Sequence, residues 1–151
     1  MDLKPISTKD FNDVMLRNSS TLKATDFFNY FKPYIKQAEN FAVAPYFWLI
    51  PNQTTMTLVD ASENIAKLTS YTKKEWIGQN SFFWMNQIHP DDQGFLAAAI
   101  AMSVKMEETM TEKYSDKVRL NIYCRMINAD KVYRWVLIQF PKIILMLMAI
   151  L

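Results

Sequence analysis

Hydrophobic positions in the first 44 residues recur every three or four places, and this spacing predicts helices. Pro33 lies inside the stretch and predicts a kink or a division into two short helices. The period then changes, because residues 46–50 are all apolar, as in a strand buried on both faces. Residues 55–59 predict a second strand that forms a hairpin with the first.

The middle of the chain, from about residue 60 to residue 108, predicts several short helices followed by a longer one. Thr72 and Glu75 have the spacing of a capping box. Pro90, with two acidic residues directly after it, marks the start of the longer helix, since such residues suit the positive end of a helix dipole. That helix carries an apolar stripe, which we expect to face the core and which Leu96 and Ile100 widen: Phe95, Ala99, Met102 and Met106.

Three strands are predicted in the last third of the chain. Residues 118–126 alternate between apolar and polar positions, and residues 132–139 return with apolar residues on both faces, which leaves their inward side undetermined. Residues 143–151 carry no polar side chain, so we expect a strand in the middle of the sheet, covered on both sides. The pattern predicts an α+β fold with a five-stranded antiparallel sheet, helices on one face and the N-terminal helices covering the other.

Composition excludes several classes of site. The 151 residues contain one cysteine, one histidine and two well-separated glycines, so a disulfide framework, a cysteine- or histidine-rich metal centre and a glycine-rich phosphate loop are excluded. Charges of both signs are interspersed and the net charge is +2, which argues against direct nucleic-acid binding. The start lacks an apolar secretory segment, and nine apolar residues are too few to span a bilayer, so we expect a cytoplasmic chain that does not bind membranes.

No residues have the spacing of a known catalytic motif, so we predict no enzymatic activity and no catalytic residue. His89 precedes a helix without a second catalytic group, and Asp91 and Asp92 are adjacent and do not face each other. Cys124 falls on the apolar face of its strand, as a small core residue would. Arg125 falls on the outer face of the same strand, where solvation is the ordinary state.

Four segments in order resemble a PAS domain: NIAKLTSY (64–71), EWIGQN (75–80), IHPDD (88–92) and VYRWV (132–136). The resemblance covers residues 45–151 and leaves residues 1–44 as a helical leader that dimerises or covers the sheet. It is strongest to the sensory PAS modules of bacterial LuxR-type helix-turn-helix regulators. The resemblance implies a sensory or dimerisation module, with any ligand held between the inner sheet face and the central helices.

Departures from the family pattern limit the cofactors that the resemblance implies. Ser81 stands where flavin-binding photosensory members carry their reactive cysteine, and His89 lies before the helix in which haem-binding members place their ligand. We therefore expect no cofactor, although the pattern leaves room for an unidentified small apolar ligand. A homodimer is expected, with a downstream DNA-binding output domain or a separate partner protein reading its state.

The resemblance and the apolar pattern together name two sets of candidate residues. The candidate ligand pocket comprises Leu58, Phe82, Phe95, Met102, Ile122, Cys124 and Met126. The candidate dimer interface comprises Phe11, Val14, Met15, Phe27, Phe31 and Tyr34. Two alternatives remain open, namely a small-molecule isomerase or hydrolase in a cone-shaped α+β fold, and a cofactor-binding sensor of light or gas.

Overall fold

Helices occupy the first part and the middle of the chain, and strands follow each helical region. The computed structural model describes residues 3–17, 27–42, 44–52, 55–109, 119–142 and 145–150. The helices in these ranges are α1 (Thr8–Arg17), α2 (Phe27–Phe41), α3 (Ile65–Leu68), α4 (Lys73–Trp76), α5 (Ser81–Met85) and α6 (Pro90–Thr109). The strands are β1 (Tyr46–Asn52), β2 (Thr57–Ala61), β3 (Leu120–Ile127), β4 (Tyr133–Lys142) and β5 (Leu145–Ile150).

The strands form one antiparallel sheet in the order β2-β1-β5-β4-β3. The predicted α+β fold of helices and antiparallel strands is confirmed. The last strand, β5, lies between β1 and β4, where its apolar sequence predicts it. The second strand lies two residues later than predicted, because the chain turns first at Met56, whose φ is 55°.

The main core lies between one face of the sheet and the helices α3 to α6. Strand residues Phe47, Leu49 and Ile138 are fully buried there, together with Trp76 from α4. Val136 and Ile138 share this face, which settles the inward side of β4. This layer accounts for most of the apolar burial that stabilises the fold.

The two N-terminal helices cover different faces, which corrects the prediction that both cover the outer face of the sheet. Helix α2 does so, since Phe31 and Ile35 pack with Trp48 and Ile50 of β1 in a second cluster. Helix α1 instead inserts Phe11 and Met15, one turn apart, into the main core on the helical side of the sheet. Its short apolar stripe fits the space left between α5, α6 and the end of the first hairpin.

Helix α6 buries Leu96 and Ile100, which widen the predicted stripe, but not the centre of that stripe. Phe95 and Met106 are 49% and 43% exposed, and the residues facing the core lie one position further along each turn. The buried residues are Leu96, Ala97, Ala98, Ile100, Ala101, Ser103 and Val104. The helix is apolar around most of its circumference, so hydrophobic spacing does not distinguish the buried face from its neighbour.

The segment before α1 crosses α6 at Gly94, where a side chain would not fit. The Ile6 amide donates a hydrogen bond to the Gly94 carbonyl at 3.1 Å. A Cβ atom at Gly94 would lie 2.7 Å from the Cβ of Pro5. The glycine therefore permits the close approach of the N-terminal segment.

Gly94→Ala should lower the free energy of unfolding by about 1–3 kcal/mol, the usual range for overpacking, although alanine ordinarily favours a helix interior. Urea unfolding of the purified chain measures this. The same change in a Pro5→Gly background, which lacks the opposing Cβ, should be neutral or stabilising. Equal destabilisation in both backgrounds would show that the contact with Pro5 does not cause the effect.

Candidate functional site

A small apolar cavity lies where α1 meets the end of the first hairpin. Its volume is about 30 Å³, which is room for one or two water molecules. Its walls are Phe11, Met15, Pro51, Asn52, Met56, Thr57, Leu58, Trp84, Ile100 and Phe140. The cavity therefore sits between the inner face of the sheet and the helices, and it is nearly filled.

A larger, partly open groove of about 260 Å³ runs between α6 and the edge strand β3. It is lined by Leu3, Asp92, Phe95, Leu96, Ala99, Ile122, Tyr123 and Cys124. The walls are apolar apart from a carboxylate at one end. The groove is distinct from the small cavity and shares no lining residue with it.

The predicted pocket residues are divided between these two spaces and the core. Leu58 lines the small cavity, whereas Phe95, Ile122 and Cys124 line the groove. Met126 is buried in the core, and Met102 is half-buried on α6. These residues do not converge on one shared pocket.

The prediction that Phe82 lines a pocket is corrected, because its side chain on α5 is 49% exposed. Asn80 caps this helix and accepts hydrogen bonds from the amides of Phe82 and Phe83. The cap fixes the rotation of the short helix so that Ser81, Trp84 and Met85 turn inward. Hydrophobicity alone does not carry this rotational information.

Cys124 is a buried, protonated thiol. Burial, together with the charge of Asp92, raises its pKa to about 12. A thiol that remains protonated at neutral pH is a poor nucleophile. The structure therefore agrees with a core role for this cysteine.

The start of α6 is tied to β3 by a charged pair that the sequence pattern did not reveal. The Arg125 guanidinium donates to Asp92, with Nη2–Oδ1 at 2.6 Å and Nε–Oδ2 at 3.0 Å. The Arg125 amide also donates to Asp92 Oδ2 at 2.8 Å. Arg125 is thus paired within the chain, which corrects its prediction as a solvated side chain.

These bonds fix the charge state of Asp92. The hydrogen bond from the Arg125 side chain is the largest influence that lowers the Asp92 pKa. His89 lies beside this pair, and its amide donates to the Arg125 carbonyl at 2.8 Å. A carboxylate bound at both oxygens and held anionic is suited to positioning rather than to proton transfer.

Among the described residues, helix α2 covers the outer face of the sheet over β1. Helix α2 packs over β1, while three aromatic side chains on β3 and β4 remain solvent-exposed. These are Tyr123 (63% exposed), Trp135 (54%) and Tyr133 (39%), and we call them the aromatic patch. The Arg125 guanidinium lies 5.8 Å from the Trp135 ring centroid, so the Asp92 pair also holds one edge of the patch.

Sequence reasoning missed the aromatic patch, although the signal was present. Tyr123 falls on the outward set of the alternating strand, and Tyr133 and Trp135 share a parity on the next strand. Pairing Arg125 with Trp135 and Tyr123 with Leu137 in the strand register places these side chains on one face. Only the pairing register of β3 with β4 shows that the aromatic residues of the two strands form a single surface.

Most of the candidate dimer residues pack against other residues of the same chain. Phe11, Met15 and Phe31 are buried, which corrects their prediction as free interface residues. Val14 and Tyr34 are half-buried and pack against the two apolar clusters. Residue 27 begins α2, and its side chain lies outside the described residues.

A family model described as the PAS fold matches residues 58–143, which is more than half of the chain. The chain belongs to the PAS family. PAS domains are sensory modules and are generally not enzymes. The match begins in β2 and ends just after β4, so α1, α2, β1 and β5 lie outside it.

One similar solved structure is the N-terminal domain of a diguanylate cyclase with PAS/PAC sensor from Marinobacter aquaeolei. It is 16% identical in sequence, with a TM-score of 0.47, and the similarity covers 71% of this chain and 94% of that one. No curated protein matches this PAS chain.

Neither a membrane-spanning helix nor a metal-binding cluster occurs in the part of the PAS chain that the structure describes. This part contains no helix that is long and apolar enough to cross a membrane. Within the same ranges, no three histidine, cysteine, aspartate or glutamate side chains form a group that could hold a metal ion.

Proposed function

We propose that this PAS domain is the N-terminal regulatory module of a bacterial LuxR-type transcriptional regulator and that it acts as a homodimer. The family match and the four resembling segments support a sensory role. The observation that carries the dimer is the exposed aromatic patch on the half of the sheet that α2 does not cover. Its proposed occupant is the same surface of a second copy.

The aromatic patch has the chemistry of an association surface. Tyrosine and tryptophan are enriched among residues that dominate binding energy, because they bury large areas with few rotatable bonds. Trp135 is also restrained, since Arg125 lies against its ring and is itself anchored by Asp92. A restrained side chain loses less freedom on association.

Signalling in this proposal is a shift between two packings of the dimer. A small apolar ligand held between the sheet and the helices would favour one packing only if its affinity differed between them. A linked output domain or a separate partner would read the packing. The charged groups at the start of α6 would maintain the geometry rather than perform chemistry.

Replacing Tyr123 and Trp135 by serine in one variant should convert the dimer to a monomer. The variant removes four aromatic side chains from the dimer, two from each copy, and at about 1 kcal/mol each their loss should weaken self-association roughly 1,000-fold. Sedimentation equilibrium at tens of micromolar protein measures the change, and native mass spectrometry of the wild type reports any retained small molecule.

Phe82→Ser is the matched control, because Phe82 is similarly exposed but lies on the helical side of the sheet. This variant should remain dimeric. A monomeric wild type, or equal dissociation in both variants, would contradict the proposed interface.

A further inference from the structure

Helix α1 forms one wall of the small cavity and fills part of the space beside it. Phe11 and Met15, one turn apart on α1, form one wall, and the sheet and central helices form the others. The Phe11 ring meets Trp84 edge-on, with ring centroids 6.2 Å apart. Both α1 residues are buried, so the helix fills most of the space between the hairpin and α6.

The contacts that hold α1 in place are limited in kind. Its polar side faces solvent, where Lys9 pairs with Asp13 at 3.2 Å, and Leu16 is 48% exposed. A side-chain hydrogen bond joins it to the central helices, from Ser81 Oγ to Asn12 Oδ1 at 2.6 Å. Phe11, Met15 and the half-buried Val14 pack on the core, and the Ile6 amide donates a hydrogen bond to Gly94 just before the helix. Helix α1 is thus attached mainly by side-chain packing, whereas each strand of the sheet is held by a ladder of backbone hydrogen bonds.

The opposite wall of the cavity has a distorted backbone. The β1–β2 register shifts between Ile50 and Pro51, and Met56 adopts the left-handed region with φ of 55°. Strained residues and bulges of this kind are found where chains hold ligands. Met15 and Met56 face the cavity from two sides, and methionine adapts readily to different neighbours.

We propose that the space held by Phe11 and Met15 is the binding site for an uncharged, hydrocarbon-rich molecule and that α1 is its displaceable occupant. The lining side chains carry no formal charge, and only Asn52 and Thr57 among them are polar. A dry apolar cavity of about 150 Å³ already binds benzene. Withdrawal of both α1 side chains would join their volume to the existing 30 Å³.

This site deepens the proposed function, on which it rests, by naming the ligand class and the element that moves. Ligand binding would release α1 from the helical side of the sheet. The apparent dissociation constant then equals the intrinsic constant divided by the fraction of molecules with α1 displaced. Any change that loosens α1 without harming the cavity must tighten binding.

N-Phenyl-1-naphthylamine, an uncharged fluorescent probe, tests this relation on the full chain. Asn12→Ala removes the hydrogen bond to Ser81 and should tighten probe binding on the order of five-fold. Phe11→Ser removes the larger side chain and should tighten binding at least ten-fold. Leu16→Ser, on the exposed side of α1, is the matched control and should bind as the wild type does.

Binding must saturate at one probe per chain with the near-ultraviolet circular dichroism retained, which separates a defined site from a loosened core. If Phe11→Ser does not fold, Asn12→Ala decides alone. Hydrogen exchange of the α1 amides should increase when the probe binds, while that of β4 stays unchanged. Variants that bind no more tightly than the wild type, or unchanged exchange in α1, would overturn the proposal.

Sedimentation of the same samples separates this proposal from the proposed function. A dimer whose α1 variants bind no more tightly would contradict the α1 site alone. A monomer that nevertheless shows the predicted tightening would contradict the dimer and support the α1 site.

Discussion

Trp76→Ala should lower the free energy of unfolding by about 3–5 kcal/mol, the largest effect expected from a single substitution in this chain. Trp76 is fully buried, and its ring meets Phe83 and Tyr71 edge-on, with centroids 5.1 and 6.3 Å away. Its indole Nε1 donates to Thr69 Oγ1 at 3.1 Å. Urea unfolding followed by far-ultraviolet circular dichroism measures the loss.

Two milder variants separate packing from hydrogen bonding at this position. Trp76→Phe keeps an aromatic ring and should lower the free energy of unfolding by less than Trp76→Ala does. Thr69→Val leaves the buried indole N–H without its acceptor and should cost about 1–3 kcal/mol. If Trp76→Ala costs less than 1 kcal/mol, α4 contributes little to the core and the packing described above is incorrect.

Asp92→Ala should destabilise the fold by about 2–3 kcal/mol, because it leaves both the Arg125 amide and its guanidinium without their acceptor. Thermal unfolding at neutral pH measures this loss. Asp91→Asn is the matched control, since Asp91 is 73% exposed and its distance to the same guanidinium is 3.4 Å. The control should change stability by no more than about 0.5 kcal/mol.

The same pair predicts a dependence on acid. The folded-state pKa of Asp92 is lowered, first by the hydrogen bond from Arg125, so the unfolded chain binds the proton more readily. The stabilisation is therefore present above the unfolded pKa of about 4 and is lost as pH falls through the lower folded value. The stability gap between wild type and Asp92→Asn should narrow below pH 4, and a gap that widens there would contradict the assignment.

Local signals in the sequence predicted local structure well. The Thr72–Glu75 capping box forms with both of its hydrogen bonds, and α6 begins at Pro90 as its two following acids indicate. The apolar final strand lies in the interior of the sheet. In each case the information lies within a few adjacent residues, because the interactions concerned span less than two turns or a single strand.

Features that depend on distant partners were not predictable in this way. Asp92 and Arg125 are 33 residues apart, and their pairing requires the start of α6 to lie against the edge of β3. Helix α1 lies in a gap that other elements leave in the core. The sequence of Thr8–Arg17 gives no information about that gap. The centre of the α6 stripe was misplaced because two adjacent faces of the helix are similarly hydrophobic.

Both lateral borders of the sheet are engaged by the chain itself. On β3, the amide of Ile127 donates to Gln87 and the carbonyl of Arg125 accepts from His89; on β2, Leu58 exchanges two bonds with residues 78 and 79. These backbone groups are therefore not available to a strand added by another molecule. In the proposed dimer, association uses the outer face of the sheet, and a twofold pairing of that face should stop at two molecules instead of extending into fibres.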